Sequence, residues 1–563
     1  MLLSLIALTA QLSLGGKPPP DPRQDLLDAM VEELDRSRAQ LTLKENKAPY
    51  FVAYQMKDYD GRELVARYGA IFSDETSRDR KLNVDVRVGD YAFDSSFNED
   101  LDFSFSLKGA SYLTKKTAPL DDSPAALKTA LWLITDEKYK QALFNYLKKK
   151  GEDVYSVEDP KRPPSFTKQS PEVLVGPRAD FTFNREKWLA FARKASARLA
   201  QEKTFFDSET RVSADRIVRY FVNTEGTRLV TESLIYAVHL QAWTRADDGQ
   251  LLQNSRDFYA PLESQLPDEA ELNKLMETMI ADLNALRVAP TIDPYTGPAI
   301  LEADAAGVLF HEAVGHRLEG DRQDNEAEGK TVRGQVGRQV LPPFISVIDD
   351  PTTAARAGKQ LNGFYGFDEE GVAAQKVALV KDGVLQTYLL SRRPVEGFLQ
   401  SNGHGRSQGN RKPVARMANL IVESKKKVSA ADLKKQLIAE AKKQGKPYGL
   451  LIRDITGGNT NTSGFGYQAF KGVPRMVFRV DVNTGKETLV RGVEIVGTPL
   501  SSINRIMATG DTEGVFNGFC GAESGMVPVS TVAPAVLLQE LELQRALEGK
   551  DRPPLIPSPL QTR

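Results

Sequence analysis

The chain has 563 residues, 41% apolar and 26% charged, enough for two or more domains with ordinary hydrophobic cores. Its 74 basic residues face 75 acidic ones, a net charge of −1, which excludes a global attraction to nucleic acid or to an anionic membrane surface. One cysteine, Cys520, excludes an intrachain disulfide, and the only histidines are His239, His311, His316 and His404.

The N-terminal MLLSLIALTAQLSLGG is apolar until it meets KPPPDP, like the hydrophobic region of an export signal. Residues 1–20 are read as a signal peptide, with export to the periplasm or beyond as the expectation and the cytoplasm as the alternative. No apolar run is long enough to span a membrane. In QDLLDAMVEELDRSRAQL, Leu26, Leu27, Met30, Leu34 and Leu41 recur near helical spacing. LNVDVRVGDYAF (82–93) alternates as a strand with one buried face. ALKTALWLI and EKYKQALFNYLKKK, within 126–150, predict two helices, followed by the proline-rich VEDPKRPPSFTKQSP. The stretch 120–175 reads as an insertion. REKWLAFARKASARLAQEK (185–203) predicts an amphipathic helix. Residues 216–260 predict consecutive antiparallel strands turning at Asn223–Gly226 and Asp247–Gly249, with His239 an ordinary strand residue.

Asp268–Arg287 predicts a helix with Leu272, Leu275, Met279 and Leu283 on one face; Pro290, Pro294 and Pro298 then mark a domain break near 290. Further on, hairpins are expected at Lys381-Asp382-Gly383 and Asn483-Thr484-Gly485. Between them lies a helix opened by Ser429 and Asp432 and stopped at Gly445. Strands segregated from helices indicate an α+β fold.

The chemistry concentrates in HEAVGH, residues 311–316. Zinc hydrolases carry H-E-x-x-H, whose histidines lie about 40° apart around a helix; at a spacing of five the separation is about 140°, and an ideal helix cannot aim both at one metal. A π-bulge would bring them into line, and Gly315 weakens the helix where that distortion is needed. A catalytic zinc takes three protein ligands and leaves one position open. Cys520, His404, His239 or a carboxylate could supply the third. Cys520 lies in the glycine-rich NGFCGAESG, not a usual place for a core cysteine. Glu312 is placed to take a proton from metal-bound water and pass it to a leaving amine. Glu319, Asp321 and Asp304 are the nearby carboxylates that could orient the imidazoles.

Several stretches resemble the TldD/PmbA family of metalloproteases, in its TldD-like, metal-bearing branch. They are YTGPAILEADAAGVLFHEAVGHRLEGD (295–321), FYGFDEEGVAAQKVALVKDGVLQTYLLSRR (364–393), NGHGRSQ (402–408), PVARMANLIVE (413–423), RGVEIVGTPLSSINRI (491–506) and NGFCGAESGMVPVSTVAPAVL (517–537). A thinner likeness is carried by DGQLLQNSRDFYA (248–260). In that family the five-residue spacing is the normal form. The resemblance implies Zn2+ held by His311, His316 and Cys520, with Glu312 as the catalytic base. It also implies an N-terminal α/β domain (21–290) and a β-rich C-terminal domain (291–563) carrying the metal site. Dimers, with a second copy or a family paralogue, would enclose a cleft where unfolded or extended polypeptides are hydrolysed. His404 departs from the family's simpler N-G-x-x-R-like stretch; the signal-like N-terminus and the 120–175 segment are also unusual.

GRSQG (405–409) matches the nucleophile-elbow pattern around Ser407, but a Gly/Asn-rich loop precedes it and Pro413 blocks a following helix, so a serine hydrolase is set aside. His404, Arg406 and Ser407 are assigned instead to substrate contact. The alternative to an enzyme is a zinc-binding but non-catalytic, peptide-binding partner subunit; the presence of Glu312 argues against it.

Overall fold

The computed structural model describes residues 21–96, 117–153, 162–324, 332–460, 470–497 and 502–546, with positions 556 and 559. The expected signal peptide and the start of the proline-rich linker, 157–161, lie outside the described residues. The fold is mixed α+β, with a β-rich C-terminal part.

The first sheet draws on β1 (Pro49–Arg67), β2 (Ala70–Val88), β3 (Val173–Val175), β4 (Phe205–Asn223), β5 (Arg228–Arg245) and β6 (Leu251–Ala260). Their order is β2-β1-β4-β5-β3, with β6 also on β5, and every pairing is antiparallel except β3 on β5. One face is covered by α1 (Arg23–Gln40), α2 (Pro124–Asp153), α3 (Arg185–Ala200) and α4 (Glu269–Val288). The two helices expected within 126–150 are one, because neither glycine nor proline interrupts them. That helix is also no appendage: Leu127, Leu131, Ile134 and Tyr139 pack with Leu26 and Met30 against Val52, Tyr54 and Met56.

The other face of β1 meets the C-terminal half, so every residue from Phe51 to Lys57 is buried rather than every second one. Polar side chains tie this seam. Gln55 Nε2 donates to Glu369 O (3.1 Å), Lys57 Nζ to Ser407 O (2.7 Å), and Arg219 Nη1 and Nη2 to the carbonyls of Asp368 (2.5 Å) and Phe367 (3.0 Å). In return Arg392 Nη2 donates to Thr167 O (2.5 Å) and to Glu225 Oε1 (2.7 Å). Burial holds the Lys57 ammonium down at about 8, against the pull of Glu369.

Two carboxyls at the seam titrate unusually. Burial pushes Asp368 up to about 6, although the N–H groups of Val372 and Gly405 oppose it. Burial and the charge of Asp368 push Glu370 up to about 8 from an ordinary 4.5. The folded chain therefore holds the Glu370 proton more tightly than the unfolded chain. The stability this contributes is complete below about pH 4.5 and is lost as the pH rises through about 8. Glu370→Gln keeps a neutral acceptor for the Arg392 backbone N–H, which donates to Glu370 at 2.6 Å. The variant is expected to match the parent in denaturant unfolding at about pH 4.5 and to exceed it by on the order of 1 kcal/mol or more at about pH 8.5. A gain independent of pH would remove this assignment.

The C-terminal half holds a sheet of twelve strands among the described residues. Tyr295–Leu301 pairs with Tyr448–Thr460 on one side and with Gly525–Arg545 on the other. The path through Phe470–Asp481 and Val493–Gly497 thus closes into a ring. α5 (Ala303–Ala313) packs against this ring and against Ile506–Ala522 beside it. Residues 305–313 are all buried, as expected of a helix apolar on nearly every side. α6 (Asp321–Asp324) is short, and α7 (Ala430–Lys443) begins where Ser429 Oγ accepts the Asp432 N–H at 3.1 Å. At the Lys381–Gly383 turn, Asp382 and Gly383 have φ of 51° and 80°, a left-handed pair that suits a two-residue hairpin. No helix among the described residues is long and apolar enough to cross a membrane.

Candidate metal centre

HEAVGH sits where α5 ends. The helix carries His311 and Glu312 and stops at Ala313; Val314 turns aside with φ −112° and ψ −55°, and Gly315–Leu318 form a 3₁₀ turn. The expected distortion is therefore a helix end followed by a tighter turn, not a π-bulge. Gly315 owes its place to crowding rather than to its dihedrals: a Cβ there would lie 1.9 Å from Met417 Sδ. The change of winding brings His316 back beside His311, with ring centroids 5.0 Å apart and planes at 86°.

Cys520 comes from the long hairpin of Ile506–Ala522 and Gly525–Arg545. It lies on the first strand, opposite Val527 and close to the tip, rather than in a loop. Its Sγ is 3.2 Å from His311 Nε2 and 3.3 Å from His316 Nε2. All three residues are about 5% exposed, and their ligand atoms lie within 4.8 Å of one another. Ligands around a tetrahedral zinc stand roughly 3.3–3.6 Å apart, given bonds of about 2.0–2.3 Å. The two imidazole nitrogens and one sulfur thus fit a zinc ion, and three protein ligands would leave a fourth position open.

The electrostatics favour the same donor set. Burial opposes ionisation of Cys520, but His311 and His316 together hold its thiol well below the ordinary value. Burial likewise opposes a charged His316, yet Glu319 and Cys520 raise it to about 10. Glu319, Asp321 and Asp304 were equal candidates for orienting the imidazoles, and only Glu319 reaches one: its Oε2 lies 3.2 Å from His316 Nδ1. Burial disfavours the Glu319 charge, but His316, Arg322 and Arg416 overcome this and keep the carboxyl far below its ordinary range. Asp321 accepts from Ser391 Oγ (2.9 Å) and the Ala415 N–H (2.6 Å) instead. Asp304 lies at the opposite end of α5, with the Lys359 ammonium 4.0 Å away. His311 Nδ1 is buried without a hydrogen-bond partner among the described residues.

Glu312 is 8% exposed, and no hydrogen bond engages its carboxylate among the described residues. The neighbouring Arg317 donates from Nη1 to Glu312 O (2.9 Å), Ala313 O and Thr460 Oγ1. The residues assigned to substrate contact are placed differently. His404 is fully buried, with Nε2 3.2 Å from Asp349 Oδ1 and Nδ1 2.9 Å from Asn402 O, so neither nitrogen is free for a metal or a substrate. Arg406 donates to Met417 O (2.6 Å) and stacks over Tyr365. Ser407 offers its carbonyl to Lys57, while its buried Oγ finds no partner among the described residues. His239 bonds Asp257 at 2.8 Å on its strand. Arg416, whose side chain reaches both Cys520 and Glu319, carried no sequence signal, because it stands 104 residues from the cysteine it touches.

Residues 294–545 match the family model for the PmbA/TldA metallopeptidase C-terminal domain. A metalloprotease of Archaeoglobus fulgidus is 32% identical over 240 residues, which is 42% of this chain and 51% of the relative. A metalloprotease TldD homolog of Haemophilus influenzae is 30% identical over 254 residues, 43% of this chain and 47% of that one. A zinc metalloprotease TldD homolog of Saccharolobus solfataricus is 27% identical over 248 residues, 44% of this chain and 51% of that one. The matched segment thus spans about half the length of these relatives. Among solved structures, TldE from Thermococcus kodakarensis superposes with a TM-score of 0.57 over 93% of this chain and 100% of its own, at 13% identity, a likeness of fold.

Proposed function

This chain belongs to the TldD/PmbA family through its C-terminal domain, and from that premise we propose that it is a zinc-dependent peptidase acting on unfolded or extended polypeptides. The observation that carries the reading is the convergence of His311 Nε2, His316 Nε2 and Cys520 Sγ, with Glu319 behind His316. Zinc, when bound, supplies a Lewis acid that acidifies water and polarises a peptide carbonyl. His311, His316 and Cys520 would hold it, and Glu319 fixes the His316 ring so that Nε2 faces inward. Glu312, next to His311 and with its carboxylate uncommitted, accepts a proton from the attacking water and delivers it to the departing amine.

Burial supports the proposed substrate class. The three ligands and Glu312 are all at least nine-tenths covered, so a carbonyl reaches them on an extended strand and not on a folded surface. We further assign a dimeric assembly, with a second copy or a family paralogue enclosing the cleft.

Metal removal is the test. The purified protein is expected to carry roughly one zinc per chain. Dialysis against a chelator should abolish cleavage of an unfolded polypeptide, and added zinc should restore it. Cleavage that persists in metal-free protein would sink the reading.

A further inference from the structure

We propose that Arg416 is the positioning residue that assembles the metal centre, locking the cysteine hairpin to the histidine turn; this rests on the zinc reading above. The two parts that must meet are distant in sequence, and no backbone pairing joins the 3₁₀ turn Gly315–Leu318 to the tip of the hairpin among the described residues. Arg416 joins them with one guanidinium. Its Nη2 donates to Cys520 O at 2.7 Å; its Nη1 donates to Ser524 Oγ at 2.9 Å and to Gly525 O at 3.1 Å. On the opposite side its Nε stands 3.5 Å from Glu319 Oε1. Glu319 in turn meets His316 Nδ1 through its other oxygen. The continuous path is Cys520 carbonyl, Arg416, Glu319, His316.

Three further observations show that the segment around Arg416 is built for this. Arg416 is wholly buried, where a cation is tolerated only when it is paired and hydrogen-bonded; Nη1 and Nη2 are hydrogen-bonded to the hairpin, and Nε faces Glu319 as an ion pair without a hydrogen bond. Met417, the next residue, fills the space that Gly315 leaves empty. Ala415, the residue before, donates its N–H to Asp321 just beyond the histidine turn. A planar, five-donor fork can span carbonyls on one side and a carboxylate on the other, and an ammonium cannot.

The experiment measures zinc affinity by competition with a chromophoric chelator, in the wild type, Arg416→Lys, Ser524→Ala and the double variant. Cobalt-loaded samples report sulfur ligation through the thiolate-to-cobalt charge-transfer band. Arg416→Lys keeps the charge and loses the fork; zinc binding should weaken by about 10- to 100-fold, the range for supporting partners of metal ligands. The charge-transfer band should weaken even at saturating cobalt. Ser524→Ala removes one acceptor and should weaken zinc by roughly threefold or more in the parent and by little in the Arg416→Lys background, because both changes break one linkage. Wild-type affinity within about twofold in Arg416→Lys, with an unaltered cobalt spectrum, overturns the proposal. If Arg416→Lys fails to fold, Ser524→Ala decides alone, and unchanged zinc binding there overturns it. A wild type that binds no zinc removes the metal reading itself; a zinc-binding wild type with insensitive variants removes only the role of Arg416.

Discussion

Glu312→Gln is expected to lower kcat/KM for an unfolded polypeptide by about 10²- to 10⁴-fold while zinc content and folding stay as they were. Glutamine has nearly the same shape as glutamate but cannot accept the proton. The carboxylate makes no hydrogen bond among the described residues, so the exchange breaks no structural bond there, and Glu312 is not in the ligand set. What it does remove is the charge beside Arg317, a guanidinium that burial already holds down at about 10. That neighbour is tied through Nη1 to the carbonyls of Glu312 and Ala313, not to the carboxylate, so its position should survive. Zinc analysis, a denaturation curve and a peptide assay on the same preparation decide the matter. Full activity in the variant means that another group moves the proton. Zinc bound without cleavage in the wild type as well favours a peptide-binding subunit.

How much of this was legible beforehand depends on the range of each signal. His311, Glu312 and His316 stand out because a helix end and the turn directly after it place them within six residues, which a short motif records. The hairpin at Asp382-Gly383 and the helix from Ser429 to Gly445 are legible for the same reason: their causes are local dihedrals and caps. Cys520 is visible as the lone thiol, though its strand was hidden by the glycines around it. The ring closed by Tyr295–Leu301 is not legible, since its partners lie about 150 and 240 residues away and leave no period in the chain.

The same limit explains the misplaced residues. A histidine in a polar, glycine-rich stretch reads as accessible, yet His404 is enclosed by Asp349, whose position is set by strands far from it in sequence. Lys57 carries no local sign of its burial, which comes from the C-terminal half lying on that face of its strand. Arg416 combines both difficulties, being a charged residue in a short strand-like run whose side-chain partners come from two segments distant from it and from each other.

Cys520→Ala should strip the metal. Losing a supporting partner alone weakens a site by about 10- to 100-fold, so losing one of three ligands should exceed about 100-fold and leave the purified variant nearly zinc-free. The substitution removes one sulfur from a buried position and adds nothing that could clash, so the chain should fold and the loss can be assigned to ligation. Neither remaining histidine can stand in: His404 is bonded at both ring nitrogens, and His239 bonds Asp257 on a distant strand. The variant also tests the electrostatics. With the thiolate gone, His316 keeps only Glu319 as a charged partner, so the imidazole should become easier to deprotonate. A downward shift of its titration followed by NMR, together with zinc loss, would tie both effects to the sulfur. Zinc retained at near-wild-type affinity would mean that a group outside this triad completes the site. His311 and His316 would then share their metal with a ligand from beyond the described residues or from a partner subunit.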